Sequence, residues 1–328
     1  MTAEPSTRLV TAKGEAIAEA ARCLAAGGLV AFPTETVYGL GADAANGAAI
    51  ARLYDAKGRP SFNPLIAHVE DLAAAHRLGL FDTAAERLAA AFWPGPLTLV
   101  LPRQPGGPVA EFATAGLDSI ALRVPGHAVA RDLLAAFGRP IVAPSANRSG
   151  HVSPTTAQHV LADLRGRIDL ILDGGPAPVG VESTIVACLA GAPMLLRPGG
   201  VSRADIERLL GRALIEPPAG TGETPLAPGQ LASHYAPRTR LRLDAQRVDP
   251  GEALLAFGPT LPAGSERAVR SLNLSGAGDL IEAAANLFSH LRALDGAGAT
   301  AIAVMPIPHN GLGEAINDRL TRAAAPRS

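Results

Sequence analysis

The chain reads as an α/β protein in two parts, a larger α/β unit followed by a smaller parallel α/β unit. Three observations give this reading. Its 328 residues exceed what one hydrophobic core usually holds. Short apolar runs alternate with amphipathic stretches along most of its length. That alternation lapses at 213–240, a Pro-, Gly- and Thr-rich stretch containing EPPAGTGETPLAPGQ, which reads as a linker. The predicted units are therefore 1–212 and 241–328.

Residues 15–26 place Ile17, Ala20, Ala21 and Leu24 on one helical face, and Gly27-Gly28 ends that helix. A buried strand at 29–32 stops at Pro33, before the hydroxyl-rich turn Thr34-Glu35-Thr36. Residues 48–57 are helical with Ile50, Leu53 and Tyr54 inward, so Lys57 and Arg59 leave its C-terminal end. The strand at 65–69 alternates Leu65, Ala67 and Val69 against Ile66 and His68. Helices near 71–78 and 83–92 follow, then the Trp93-Pro94-Gly95-Pro96 turn and a strand at 97–101. In the strand at 119–124, Ser119, Ala121 and Arg123 share one face and Ile120, Leu122 and Val124 the other. Strands at 141–142, 169–172, 184–188 and 194–196 alternate with helices. Ser153-Pro154 reads as one helix start, a cap with Pro at the first helical position. Ser202 reads as another, with Asp205 completing a capping box.

In the smaller unit, strands at 251–257 and 299–305 flank a helix at 279–295, whose stripe is Leu280, Ala284, Leu287, Leu291 and Leu294. A last helix runs through Ile316 and Leu320. That order implies a parallel sheet.

A formal charge of −1 provides no basic field for nucleic acid or anionic membrane, so strong direct nucleic-acid binding is not expected and any anion site is local. Cys23 and Cys188 lie far apart in apolar stretches and read as buried free thiols. The N-terminus shows no signal-peptide pattern and no run approaches a membrane span, so a cytoplasmic protein is expected.

Only two basic residues are lysines, and one, Lys57, opens the segment KGRPSFNP at 57–64. A mobile ammonium beside a planar guanidinium, followed by Asn63, suits a polyphosphate, although a solvated basic turn would read the same way. PSANRSG at 144–150 combines hydroxyls and an amide after a buried strand, as a phosphate or ribose cradle or a plain surface turn would. Glu182-Ser183-Thr184 enters a strand and Arg197-Pro198-Gly199-Gly200 leaves one, so these polar groups should converge on one cleft. His68, His127, His151 and His159 are scattered and read as surface or capping residues. GxSxG, HExxH and Cys/His clusters are missing. Cations, hydroxyls and amides without a nucleophile suit phosphoryl or nucleotidyl transfer, where the protein positions groups and stabilises charge.

Taken in order, FPTETVYGLG at 32–41, KGRPSFNPL at 57–65, WPGPLT at 93–98, ALRVPGH at 121–127, PSANRSG at 144–150, EST at 182–184, RPG at 197–199, SHYAP at 233–237 and GLGEAINDRL at 311–320 resemble the L-threonylcarbamoyladenylate synthase family in its longer form. The resemblance implies a twisted mixed sheet with helices (YrdC-like) followed by a Rossmann-like C-terminal domain. It implies that L-threonine, bicarbonate and ATP give threonylcarbamoyl-AMP and pyrophosphate, and that the product passes to a tRNA-modifying enzyme that acts beside the anticodon. Thr36, His68, Arg123, Ala143 and Ser183 would hold threonine or its carbamate. Relatives can carry a threonine where this chain has Ala143, so a contact there would be through backbone. Lys57, Arg59, Asn63, Ser119, Ser145, Asn147, Ser153, Arg197, His234, Tyr235 and Ala236 would hold ATP, with Lys57 and Arg59 stabilising the transferring phosphate. The linker would fold back as a lid. Mg²⁺ would accompany ATP, with ligands unassigned, and no organic cofactor is implied. Rival readings are an RNA-binding module, a nucleotide sensor without turnover, or a carbamoyltransferase using carbamoyl phosphate.

Overall fold

Short apolar runs between Gly- and Pro-rich turns become the strands of a ten-stranded mixed sheet, and a separate four-stranded parallel sheet follows it. A computed structural model describes residues 6–60, 62–217 and 235–326. The first part of the chain contains β1 (Arg8–Thr11), α1 (Glu15–Ala25), β2 (Val30–Pro33), β3 (Tyr38–Asp43), α2 (Gly47–Lys57), β4 (Ile66–His68), α3 (Leu72–His76), α4 (Thr83–Phe92) and β5 (Leu97–Pro102). Next come α5 (Glu111–Thr114), β6 (Ser119–Arg123), α6 (Ala128–Phe137), β7 (Ile141–Val142), α7 (Ala157–Leu164), β8 (Leu170–Asp173), β9 (Thr184–Ala187), β10 (Met194–Arg197) and α8 (Arg203–Leu210). Their order across the sheet is β1-β8-β2-β3-β7-β4-β6-β5-β9-β10.

The period of two sorts the side chains of β4 and β6. Leu65, Ala67, Val69, Ile120, Leu122 and Val124 enter the main core, while Ile66 and Ala121 join a small cluster on the opposite face. β4 and β6 are parallel with His68 opposite Arg123, so these two polar groups stand side by side on that second face.

The smaller sheet is built from β11 (Leu241–Arg242), β12 (Ala253–Ala256), β13 (Ser271–Asn273) and β14 (Ile302–Val304), all parallel in the order β11-β14-β12-β13. Its helices are α9 (Leu280–Asp295), capped by Asp279, and α10 (Gly313–Ala324). The expected stripe of α9 turns inward, with Ala284, Leu287, Leu291 and Leu294 buried.

That core does not end at its own sheet. Val37, Val152, Val181 and Tyr235 share one buried cluster with Leu287, Phe288, Leu291 and Ile316. Polar ties cross the same boundary. Arg292 pairs with Asp163 at 2.7 Å, Arg203 with Glu314 at 2.7 Å, and the Thr155 and Ser289 hydroxyls are 2.8 Å apart. A Cβ at Gly180 would fall 2.3 Å from the carbonyl oxygen of Ala284, so α9 can approach this loop only over a glycine.

Several expectations need correction. α7 starts at Ala157, capped by Thr156, and Ser153-Pro154 is not a helix start. The Ser153 hydroxyl is used on Glu182, and the Pro154 carbonyl accepts the Tyr38 amide, which draws this segment out along β3. β1, β3 and β13 are strands that the periodicity did not mark. Cys188 is buried, but Cys23 is only partly so. Most of the 213–240 stretch, from 218 to 234, lies outside the described residues, as does His234. Among the described residues no helix is long and apolar enough to cross a membrane.

Candidate active site

A small cavity of about 40 Å³ lies on the second face of β4 and β6. Thr36, Arg59, His68, Arg123, Ala143, Ser145, Ser183, Arg197 and Tyr235 line it, together with Glu182. They arrive from separate elements, because strand ends and their following loops meet there. The volume holds only a few water molecules.

Arg123 is anchored by a buried ion pair. Its Nη2 donates to Glu35 Oε1 at 2.6 Å and its Nε to the Gly95 carbonyl at 3.2 Å. Glu35 Oε2 accepts the Gly126 and His127 amides at 2.9 and 3.3 Å. Burial alone would raise the Glu35 carboxyl, but the charge and hydrogen bond of Arg123 hold it below the ordinary carboxylate range.

His68 is 2% exposed, so it is neither the surface nor the capping residue that its scatter suggested, whereas His127 does cap α6. Burial, with Arg123 beside it, pushes His68 down to about 3. At neutral pH the ring is therefore uncharged. Its Nδ1 lies 3.3 Å from the Ile66 carbonyl, an acceptor only, so Nδ1 carries the proton and Nε2 is left as an acceptor. The shift also predicts an acid sensitivity. As pH falls from 6.5 toward 3, the unfolded chain takes up a proton that folded His68 refuses, so stability present at neutrality is lost across that window. The slope is about 1.4 kcal/mol per pH unit from this one group. Thermal melts between pH 7.5 and 4.5 should show it, and His68→Asn should flatten it. An unchanged slope in the variant would exclude His68 as the source.

Around the opposite rim, Arg59 Nη2 donates to the Asn63 and Pro64 carbonyls at 3.3 and 3.1 Å. Burial pushes Arg59 down to about 10. Arg59 Nε and Asn63 Oδ1 are buried without hydrogen-bond partners among the described residues. Arg197 directs Nε and Nη2 to the Ser183 carbonyl at 3.2 and 2.9 Å, while the Ser183 and Thr98 hydroxyls are 2.8 Å apart. The turn after Arg197 tolerates no side chain at Gly199, where a Cβ would fall 2.3 Å from the Glu182 carbonyl oxygen.

The remaining expected residues do not line the cavity. Lys57 does not project from α2 but is 3% exposed, with its Nζ donating to the Ser145 carbonyl at 2.5 Å and to the Asn147 carbonyl. Burial and then the charge of Arg59 push it well below the ordinary lysine range. Asn147 Nδ2 ties the same loop to the Arg148 and His151 carbonyls, both at 2.8 Å. Ser153 donates to Glu182 Oε1 at 2.5 Å. Ser119 lies four residues before Arg123 on the same face of β6, and the Ala236 amide donates to the Gly150 carbonyl at 2.8 Å. The Ala143 amide is already given to the Ile66 carbonyl at 3.0 Å, so it is not available to a ligand. Sequence reasoning placed Glu182 at the cleft without a specific task and gave no role to Glu35 or Arg319, although all three sit inside quoted motifs.

Comparison with known proteins follows the same lines. A family model described as "Telomere recombination" (Sua5_yciO_yrdC) matches residues 22–199, and the model "Threonylcarbamoyl-AMP synthase, C-terminal domain" matches 201–325. The chain is 41% identical to threonylcarbamoyl-AMP synthase of Bacillus subtilis, covering 95% of this chain and 93% of that one. It is 42% identical to the Pyrococcus abyssi enzyme of the same name, covering 92% of each. The crystal structure of P. abyssi Sua5 complexed with L-threonine superposes with a TM-score of 0.87 at 38% identity, covering 97% of both chains. With matches that run through both sheets and nearly the whole length, the chain belongs to the threonylcarbamoyl-AMP synthase family.

Proposed function

We propose that this cavity is where the chain makes threonylcarbamoyl-AMP from L-threonine, bicarbonate and ATP. The observation that carries the assignment is Arg123, fixed by Glu35 beside an uncharged His68 and facing the cavity with Thr36 and Ser183. A fixed guanidinium suits the threonine carboxylate, and the Nε2 of the uncharged His68 ring can accept a hydrogen bond from the amine or hydroxyl. Any contact at Ala143 would be through backbone. The uncharged amine and bicarbonate give a carbamate and water, the amine proton leaving in that water, and a carbamate oxygen then forms its bond to the α-phosphorus as the bond to the bridging oxygen breaks. Pyrophosphate takes that electron pair. No enzyme nucleophile enters.

The triphosphate would lie along Arg59, Ser145 and Arg197, where Arg59 Nε is a buried donor without a partner among the described residues, with Asn63 beside them. Lys57 would act from behind, fixing the carbonyls of the 145–147 loop and adding field at the phosphates. Ser119, Asn147, Ser153, Tyr235, Ala236 and His234 would complete the nucleotide site, with the 213–240 segment acting as a lid over it. Among the described residues there is no group of three His, Cys, Asp or Glu side chains that could hold a metal, and Glu182, which lines the cavity, is engaged by Arg319 and Ser153. Mg²⁺ would therefore come as MgATP, held mainly by the phosphates and water. Handing the product to a cytoplasmic tRNA-modifying enzyme completes the reading. Pyrophosphate release should require ATP, threonine and bicarbonate together. Equal release without threonine would overturn the assignment.

A further inference from the structure

Arg319 on α10 is 0% exposed and heads the largest fully buried side chains of the molecule. A guanidinium so deeply buried needs partners, and it finds them in the other unit. Its Nε donates to Glu182 Oε2 at 2.8 Å and its Nη1 to the Pro198 carbonyl at 2.9 Å. Its Cζ lies 5.2 Å from the centre of the Tyr235 ring, within cation–π range. Asp318 accepts from Nη1 at 2.7 Å and helps balance the charge. One side chain thus touches the 182–184 loop, the turn after Arg197, and the ring that lines the cavity. Through the second oxygen of Glu182 it also reaches the Ser153 hydroxyl. The threonine-side anchors, Arg123 with Glu35 and His68, have none of these contacts.

We infer that Arg319 is a positioning residue for the nucleotide half of the site: it fixes Glu182, the Arg197–Pro198 turn and Tyr235 in one arrangement, so the C-terminal unit completes the active site. The inference rests on the nucleotide placement proposed above. It goes further, because it gives the smaller sheet a task in the reaction. Lysine could keep the charge at 319 but could not span Glu182 and the Pro198 carbonyl while staying over the Tyr235 ring.

The test compares wild type, R319K, E182Q and the double variant R319K/E182Q as full-length proteins, by pyrophosphate release, threonine binding and thermal melting. Wild-type turnover that depends on threonine upholds the underlying reading independently of the variants. R319K should lower kcat/KM for ATP at least tenfold while threonine affinity stays within about threefold, and the double variant should be little worse than either single variant. E182Q should reproduce the same split, and it decides the matter should R319K fail to fold. Unchanged ATP kinetics in the folded variants, or an equal loss of ATP and threonine parameters, would overturn the inference.

Discussion

An Arg123→Ala variant should bind threonine about 10- to 100-fold more weakly, because a hydrogen-bonded charge pair contributes about 1.5–3 kcal/mol. The same change should lower stability by about 3–5 kcal/mol, since it strands the Glu35 carboxylate in a buried site. The two effects separate in a second variant. Glu35→Gln keeps the shape and the hydrogen bonds from Gly126 and His127 but removes the charge that orients Arg123. It should weaken threonine binding less than Arg123→Ala at a comparable cost in stability, because Arg123 in turn loses its buried acceptor. Calorimetric titration with threonine, run beside melting curves, measures both. Full threonine affinity in a destabilised Arg123→Ala protein would reduce Arg123 to a structural partner of Glu35.

Lys57→Met should cut turnover at least tenfold, the usual scale for a lost stabilising donor. The side chain holds two carbonyls of the 145–147 loop, and Ser145 in that loop lines the cavity. Methionine fills the space but cannot donate, so both carbonyls lose their partner. Stability should fall by only about 1–3 kcal/mol, because removing a buried ammonium also relieves its desolvation penalty. Pyrophosphate release and a thermal melt on one preparation check both figures. Wild-type turnover would remove Lys57 from the machinery.

Much of the site was legible because strands have a period of two. Once 65–69 and 119–124 read as strands, their polar faces were fixed, and the parallel register then set His68 beside Arg123. What periodicity cannot carry is pairing over long sequence distances. Glu35 and Arg123 are 88 residues apart and Glu182 and Arg319 are 137 apart, so nothing local announced either contact. Ser153-Pro154 failed for the opposite reason. Its local pattern is a sound capping signal, but a buried carboxylate took the hydroxyl and β3 took the carbonyl. Tertiary partners outbid local preference there. Lys57 shows the same limit, since composition singled it out but could not say that it would turn inward.

The buried cluster that joins Val37, Val152 and Val181 to α9 and α10 bears on how the molecule comes apart. Two sheets that share a core cannot melt independently, because opening one exposes the apolar face of the other to water. Heat should therefore find one cooperative body where the sequence reads two. Ligand binding is coupled to the same transition: a substrate held at the cavity raises the stability of a helix at the far end of the chain, through mass action alone.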